Sequence, residues 1–153
     1  MSAPAGDVVV RAARPGDYDA IAAVVDEWWG RPILGILPRL FLDHFHRTSL
    51  VAERDGVLGG FLLGVPLAVA AAEAYIHFVG VAPQLRGTRL AGDPYTRFFA
   101  LAAAEGRTTV SAVTSPANTG SIAFHRRMGF TVTGPVENHD GPGHDLMTFR
   151  REL

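Results

Sequence analysis

Three groups of side chains in this sequence have types and spacing suited to chemistry. The first is Arg86, Gly87, Thr88, Arg89, Leu90 and Ala91, which follow an apolar run through Val79 and Val81 and a turn at Pro83. A strand that breaks at proline, crosses an Arg-Gly loop and enters a helix is built to hold an anion. Amides at a helix N-terminus point outward, and the helix dipole favours negative charge. The guanidinium forks of Arg86 and Arg89 suit a pyrophosphate. The same residues also read as a basic loop that caps a helix. The second group is Glu73, Tyr75 and His77, at alternate positions of one apolar stretch and so on one face of a strand. An imidazole there can accept a proton near neutral pH, or it can be a core histidine with one satisfied hydrogen bond. The third is His125, after Phe124 and before Arg126 and Arg127. It is either a proton donor or a polar residue at a helix edge.

Other histidines do not assemble. His44 and His46, two apart on a helix, direct their rings away from each other, and His139 and His144 have no carboxylate partner set. No metal is expected. The chain has no cysteine, which excludes disulfides, thiolate metal sites and a cysteine nucleophile. Its 153 residues fit one domain able to bury a core. A formal net charge of −1 argues against a nucleic-acid partner, which needs a broad basic face. The uncharged run at residues 57–72 is shorter than the roughly 20 residues of a membrane span. Gly59, Gly60, Gly64 and Pro66 interrupt it further. Residues 1–7 show no basic-then-apolar pattern and read as a flexible tail. A cytoplasmic protein without membrane contact is expected, with residues 8–153 as one domain.

Elements must position these groups. Residues 8–12 are a β-branched first strand, and Asp17 is placed to cap a helix carrying Tyr18, Ile21, Val24, Val25 and Trp28 on one stripe. Residues 37–45 predict a second helix with Leu37, Leu40, Phe41 and Phe45 on one side. Residues 49–53 and 57–65 form a hairpin around Asp55-Gly56, where both positions tolerate positive φ. Residues 74–81 are apolar enough for a central strand covered on both faces. A helix at 94–105 has Pro94 at its first position and Asp93 as cap, and strand 108–114 follows. Helix 118–128 ends at Gly129, and strands 130–133 and 146–150 flank a mobile Gly- and Pro-rich loop at 134–144. The order β-α-α-β-β-β-α-β-α-β-β is mixed α/β, not the alternation of a doubly wound fold.

Two stretches carry a family resemblance. Val79-Gly80-Val81-Ala82-Pro83-Gln84-Leu85-Arg86-Gly87-Thr88-Arg89-Leu90-Ala91 resembles the V-x-P-x-x-R-G-x-G-x-G/A loop of the GNAT N-acetyltransferases. Asn118 through Phe130 resembles that family's N-x-x-S/A-x-x-F-Y-x-x-x-G-F helix. The resemblance extends in element order from Val8 to Arg150. It implies a mixed sheet of six to seven strands with splayed central strands and about four flanking helices. It also implies acetyl-CoA as cosubstrate, held by the loop at Arg86, Gly87, Thr88, Arg89, Leu90 and Ala91. The backbone of Val79 and Val81 would pair with the pantetheine arm, with Asn118, Ser121 and Phe124 beside it, and an amide near Val81 would polarise the thioester carbonyl. Two positions depart from the pattern. Arg89 stands where the family has its middle glycine, and Pro94 removes an amide donor early in the helix.

The activity implied is direct transfer of an acetyl group to an amine of a small molecule or peptide. His77 is the first choice for the base, with Tyr75 and Glu73 able to act directly or through a water. His125 occupies the position of the family's acidic tyrosine. Trp29, Phe41 and Phe45 are candidates for the acceptor side. The resemblance makes a homodimer reasonable. Two alternatives stay open: a non-catalytic domain that binds CoA or a metabolite, and an acyltransferase acting on a macromolecular amine.

Overall fold

Tyr18, Ile21, Val25 and Trp28 recur at helical spacing, and the chain is helical from Tyr18 to Trp29. The computed structural model describes residues 7–87 and 92–153. Within them come β1 (Val8–Ala12), α1 (Tyr18–Trp29), α2 (Leu40–Phe45), β2 (Leu50–Arg54), β3 (Val57–Pro66) and β4 (Glu73–Val81). After these follow α3 (Asp93–Ala104), β5 (Thr109–Thr114), α4 (Thr119–Arg127), β6 (Thr131–Val136) and β7 (Leu146–Glu152). Hydrogen bonds join the strands in the order β1-β2-β3-β4-β5-β7-β6. The sheet is mixed: β1–β2, β2–β3, β5–β7 and β6–β7 are antiparallel, while β4–β5 is parallel. The parallel register runs from Glu73↔Thr109 to Ile76↔Ala112, and β4 itself continues to Val81. The fold is the mixed α/β arrangement expected from the sequence.

Two compact units divide the chain. One comprises Phe78–Leu101 with the described residues up to Val65, the other Pro66–His77 with Ala102–Leu153. In the first unit, Asp55 and Gly56 take φ of 53° and 76° and close the β2–β3 hairpin. Ile21, Val25 and Trp28 of α1 are buried with Leu37, Leu42, Val51, Phe61, Leu63 and Leu85. Each such large side chain contributes about 2 kcal/mol by leaving water. Gly30, at φ 72°, ends α1, and its amide bonds to the Asp26 and Glu27 carbonyls. Along β3, Gly64 marks the crossing of α3, because a Cβ there would overlap the Phe98 ring and the Thr48 carbonyl.

Four local expectations are corrected along the chain up to α3. Asp17 does not cap α1. Its carboxylate accepts from the Arg14 amide at 2.7 Å and from the Arg11 guanidinium at 2.7 and 2.8 Å, closing the turn before the helix. The Arg11 hydrogen bond is the main reason its pKa lies below the ordinary value. The second helix begins only at Leu40, after Pro38, and this phase turns Leu42 inward while Leu40 is exposed. In β4, Ala74, Ile76 and Gly80 are buried but Tyr75, His77, Val79 and Val81 are only half-buried, so one face is not fully covered. Helix α3 starts at Asp93 with Pro94 as its second residue, a first-turn place where a missing N–H costs no helical bond.

In the second unit β5, β7 and β6 pair side by side, with α4 packed against β6. Gly129, at φ 89°, terminates α4. Arg107 Nη1 lies at 3.1, 3.5, 2.8 and 3.1 Å from the carbonyl oxygens of Leu67, Ala70, Ala71 and Glu73, gathering the β3–β4 connection about one nitrogen. Strand β6 runs to Val136, past the Gly134 where a loop was expected, because Val136 still pairs with Leu146. The remaining connection is knitted by its own hydrogen bonds. The Asn138 amide donates to Asp145 Oδ1 at 2.8 Å, and the Gly143 amide to Asn138 Oδ1 at 2.9 Å.

Candidate functional site on strand β4 and the segments that follow it

Strand alternation brings Glu73, Tyr75 and His77 to one face, as their spacing requires. The Tyr75 hydroxyl and His77 Nδ1 are 3.4 Å apart, and the two rings lie 5.9 Å apart. Burial raises the pKa of the Tyr75 phenol, so it stays protonated at neutral pH. A neutral phenol can give its proton to Nδ1 or accept one from it. In the second case Nε2 keeps its lone pair. Glu73 is differently engaged: Oε1 accepts from Arg150 Nη1 at 2.6 Å, and Oε2 from the Ser111 hydroxyl at 3.3 Å. By register Ser111 lies opposite Tyr75, and Arg150 lies opposite Ser111.

Val79 and Val81 continue the strand to its end. A 3-10 turn at Pro83–Leu85 follows, and Gly87 adopts φ 78° with open space where a Cβ would stand. Thr88, Arg89, Leu90 and Ala91, the rest of the expected anion cradle, lie outside the described residues. Arg86 has a definite place. Its guanidinium donates to the Trp28 carbonyl from Nη2 at 2.6 Å and to the Val81 carbonyl from Nε at 3.2 Å.

The aromatic candidates divide. Trp29 packs on Phe78, with centroids 4.6 Å apart, and is 6.4 Å from Phe61. A Cβ on Gly80 would come within 2.9 Å of Trp29 and 2.6 Å of Phe61, so glycine makes room for this cluster. Phe41 and Phe45 pair with each other at 6.1 Å on α2. Sequence reasoning missed what orients the α1–α2 segment: Asp26 Oδ1 accepts from the Ile33 and Leu34 amides at 2.8 and 2.9 Å. The carboxylate preceding Gly30 and Pro32 was the signal available.

In the second unit Asn118 is the cap of α4. Its Oδ1 accepts from the Ser121 amide at 3.2 Å, and its Nδ2 donates to the Thr114 hydroxyl at 3.3 Å. Phe124 stands edge-on to His125, centroids 5.7 Å apart. His125 itself is a core residue, 6% exposed and stacked on Phe149. Its Nδ1 lies 2.8 Å from the Ser121 carbonyl, which can only accept, so that nitrogen carries the proton. Desolvation is the main reason its pKa is lowered, and the Ser121 bond works against it. The side chain therefore stands in the core and not at the exposed helix edge that one of the two sequence readings expected. Among the described residues no group of three His, Cys, Asp or Glu side chains could hold a metal. No described helix is long and apolar enough to cross a membrane.

Solved structures share this fold. A GNAT-family protein from Desulfovibrio desulfuricans is 20% identical, covering 95% of this chain and 99% of its own, with a TM-score of 0.83. YncA from Salmonella typhimurium, solved with its cofactor acetyl-CoA, is 22% identical over 97% and 95% of the two chains, with a TM-score of 0.75. The diaminobutyrate acetyltransferase EctA from Paenibacillus lautus was solved with L-2,4-diaminobutyric acid and coenzyme A. It is 18% identical over 94% and 95% of the chains, with a TM-score of 0.72. No curated protein sequence matches the chain. The family model of the GNAT acetyltransferases matches residues 17–130, three quarters of the sequence, and the chain belongs to that family.

Proposed function

We propose that the protein transfers an acetyl group from acetyl-CoA directly to an amine of a small molecule or peptide, with His77 as general base. The observation that carries this reading is the Tyr75–His77 pair on the half-buried face of β4. It stands on the same strand as Val79 and Val81, the segment that leads into the anion-binding loop. The reading requires the tautomer in which Nδ1–H donates to the Tyr75 oxygen, so that the lone pair on Nε2 is the one that takes the proton of the attacking amine. The amine nitrogen then bonds to the thioester carbon, the C–S bond breaks, and the thiolate takes a proton from solvent. His125, with its proton fixed on the Ser121 carbonyl, is outside this path. Diaminobutyrate in the EctA structure supports a small amine as acceptor.

Acetyl-CoA, as substrate, would meet the Pro83–Leu85 turn and the open backbone at Gly87. A second reading, a domain that binds CoA without turnover, is favoured by His125, which holds the position of the family's acidic tyrosine but is buried on Phe149. One experiment separates the two. Acetyl-CoA binding is measured by calorimetry, and free thiol release is followed with spermidine, L-2,4-diaminobutyric acid, tyramine and a peptide with a free N-terminus. Binding with turnover of any of these supports the enzyme. Binding without turnover supports the sensor, and no binding sinks both.

A further inference from the structure

We infer that Arg86 serves the acceptor side of the site: it is a positioning residue that straps the end of α1 to the end of β4 and thereby sets the Trp29 ring. The inference rests on the acetyltransferase reading above, and it assigns to Arg86 a task other than phosphate contact. Its two carbonyl partners come from different elements. Trp28 lies in the last turn of α1, where carbonyls lack intrahelical partners and the helix dipole is negative. Val81 is the last residue of β4. The Gly30 amide turns back to Asp26 and Glu27 and so does not serve the Trp28 carbonyl.

The next residue after Trp28 is Trp29, whose ring packs against both Phe78 and Phe61 where Gly80 has no side chain. Fixing the Trp28 carbonyl fixes the peptide from which that ring projects. The strap uses separate nitrogens of one planar fork, Nη2 and Nε, for carbonyls from separate elements. A lysine, with a single point of charge, reproduces only one of the two bonds at a time. With Nε and Nη2 on these carbonyls, the Arg86 side chain is held toward the ends of α1 and β4.

The test uses the full chain with Arg86→Ala and Arg86→Lys. Three quantities are read: the acetyl-CoA Kd by calorimetry, the emission of the chain's two tryptophans, and steady-state kinetics with whichever of the four amines above the wild type turns over. The expected result is an acetyl-CoA Kd within about twofold of wild type in both variants, since the inference gives Arg86 no phosphate to hold. In Arg86→Ala the emission shifts to the red and KM for the amine rises about tenfold with little change in kcat. Arg86→Lys recovers part of that KM. An acetyl-CoA Kd raised about tenfold, with emission and amine KM unchanged, would overturn the inference and return Arg86 to the phosphates. If the wild type binds no acetyl-CoA, the acetyltransferase reading fails on its own. The strap is then judged by emission alone: a red shift in Arg86→Ala sustains it, and an unchanged spectrum ends it.

Discussion

The imidazole of His125 lies flat on the ring of Phe149, with centroids 4.0 Å apart and planes 9° apart. The ring is buried, so protonating it inside the fold is harder than in the unfolded chain, whose histidine takes a proton near pH 6.5. The sign follows: the unfolded state binds more protons as pH drops below about 6.5. Stability contributed by a neutral His125 is complete above that value and is lost as pH falls toward the depressed folded value. We expect urea midpoints to decline between pH 7 and pH 5. In His125→Phe, which keeps a flat ring on Phe149, that decline should be shallower. Equal slopes in both proteins would show that other groups set the acid sensitivity.

His77→Ala is expected to lower kcat/KM by about 100-fold or more, the range of a lost general base. Tyr75→Phe removes only the partner of Nδ1 and is expected to cost about tenfold or less. A His77→Ala enzyme as active as wild type would mean that the base lies elsewhere.

Glu73 gives the contrasting outcome. Its carboxylate is spent on Arg150 and Ser111, and Arg150 is largely exposed. Glu73→Gln keeps an acceptor oxygen for Arg150 and can donate to the Ser111 hydroxyl in place of accepting from it, so stability should change by less than about 1 kcal/mol. Turnover should stay near wild type if proton transfer runs through His77 alone. A large fall in kcat with unchanged stability would instead put Glu73 in the proton path.

Asn118→Ala should destabilise the protein by about 1 kcal/mol through loss of the α4 cap, a drop of roughly 2–4 °C in Tm. Asn118→Asp keeps an oxygen for the Ser121 amide and should recover most of it. If acetyl-CoA affinity falls in both variants while only the alanine melts early, the Asn118 amide group also serves the ligand.

Gly80→Ala places a methyl group where Phe61 and Trp29 already stand. Overpacking of this kind costs about 1–3 kcal/mol. Chemical denaturation measures the loss, and tryptophan emission should report displacement of Trp29. A neutral substitution would show that the aromatic cluster yields easily.

Much of this was legible because local rules and tertiary context agree. Asp55-Gly56 needed positive φ and has it, and the stripe Ile21, Val25, Trp28 is the core face of α1. The misreadings occur where phase or partner came from elsewhere in the chain. Leu40 and Leu42 are equally apolar, and the late start of α2 after Pro38 decided which turns inward. Asp17 looked like a cap until Arg11, a strand residue, claimed its carboxylate. At the site, alternation placed Tyr75 beside His77, but nothing local to Arg86 announced a bond to Trp28, far away in sequence. That bond joins residues 58 apart, a separation that no local pattern encodes.

The Arg107 arrangement bears on where the chain can be cut open and extended. The carbonyls of Leu67, Ala70, Ala71 and Glu73 converge on Nη1, so the segment between β3 and β4 has a fixed circumference set by one internal cation. Splicing a reporter peptide there would pull acceptors off a half-buried positive charge whose other solvation is limited. The connection between β6 and β7 closes only on itself, through Asn138 and Asp145, and its residues are largely exposed. A circular permutation or inserted tag belongs in that second connection, while the first behaves as a ring that is complete at its present length.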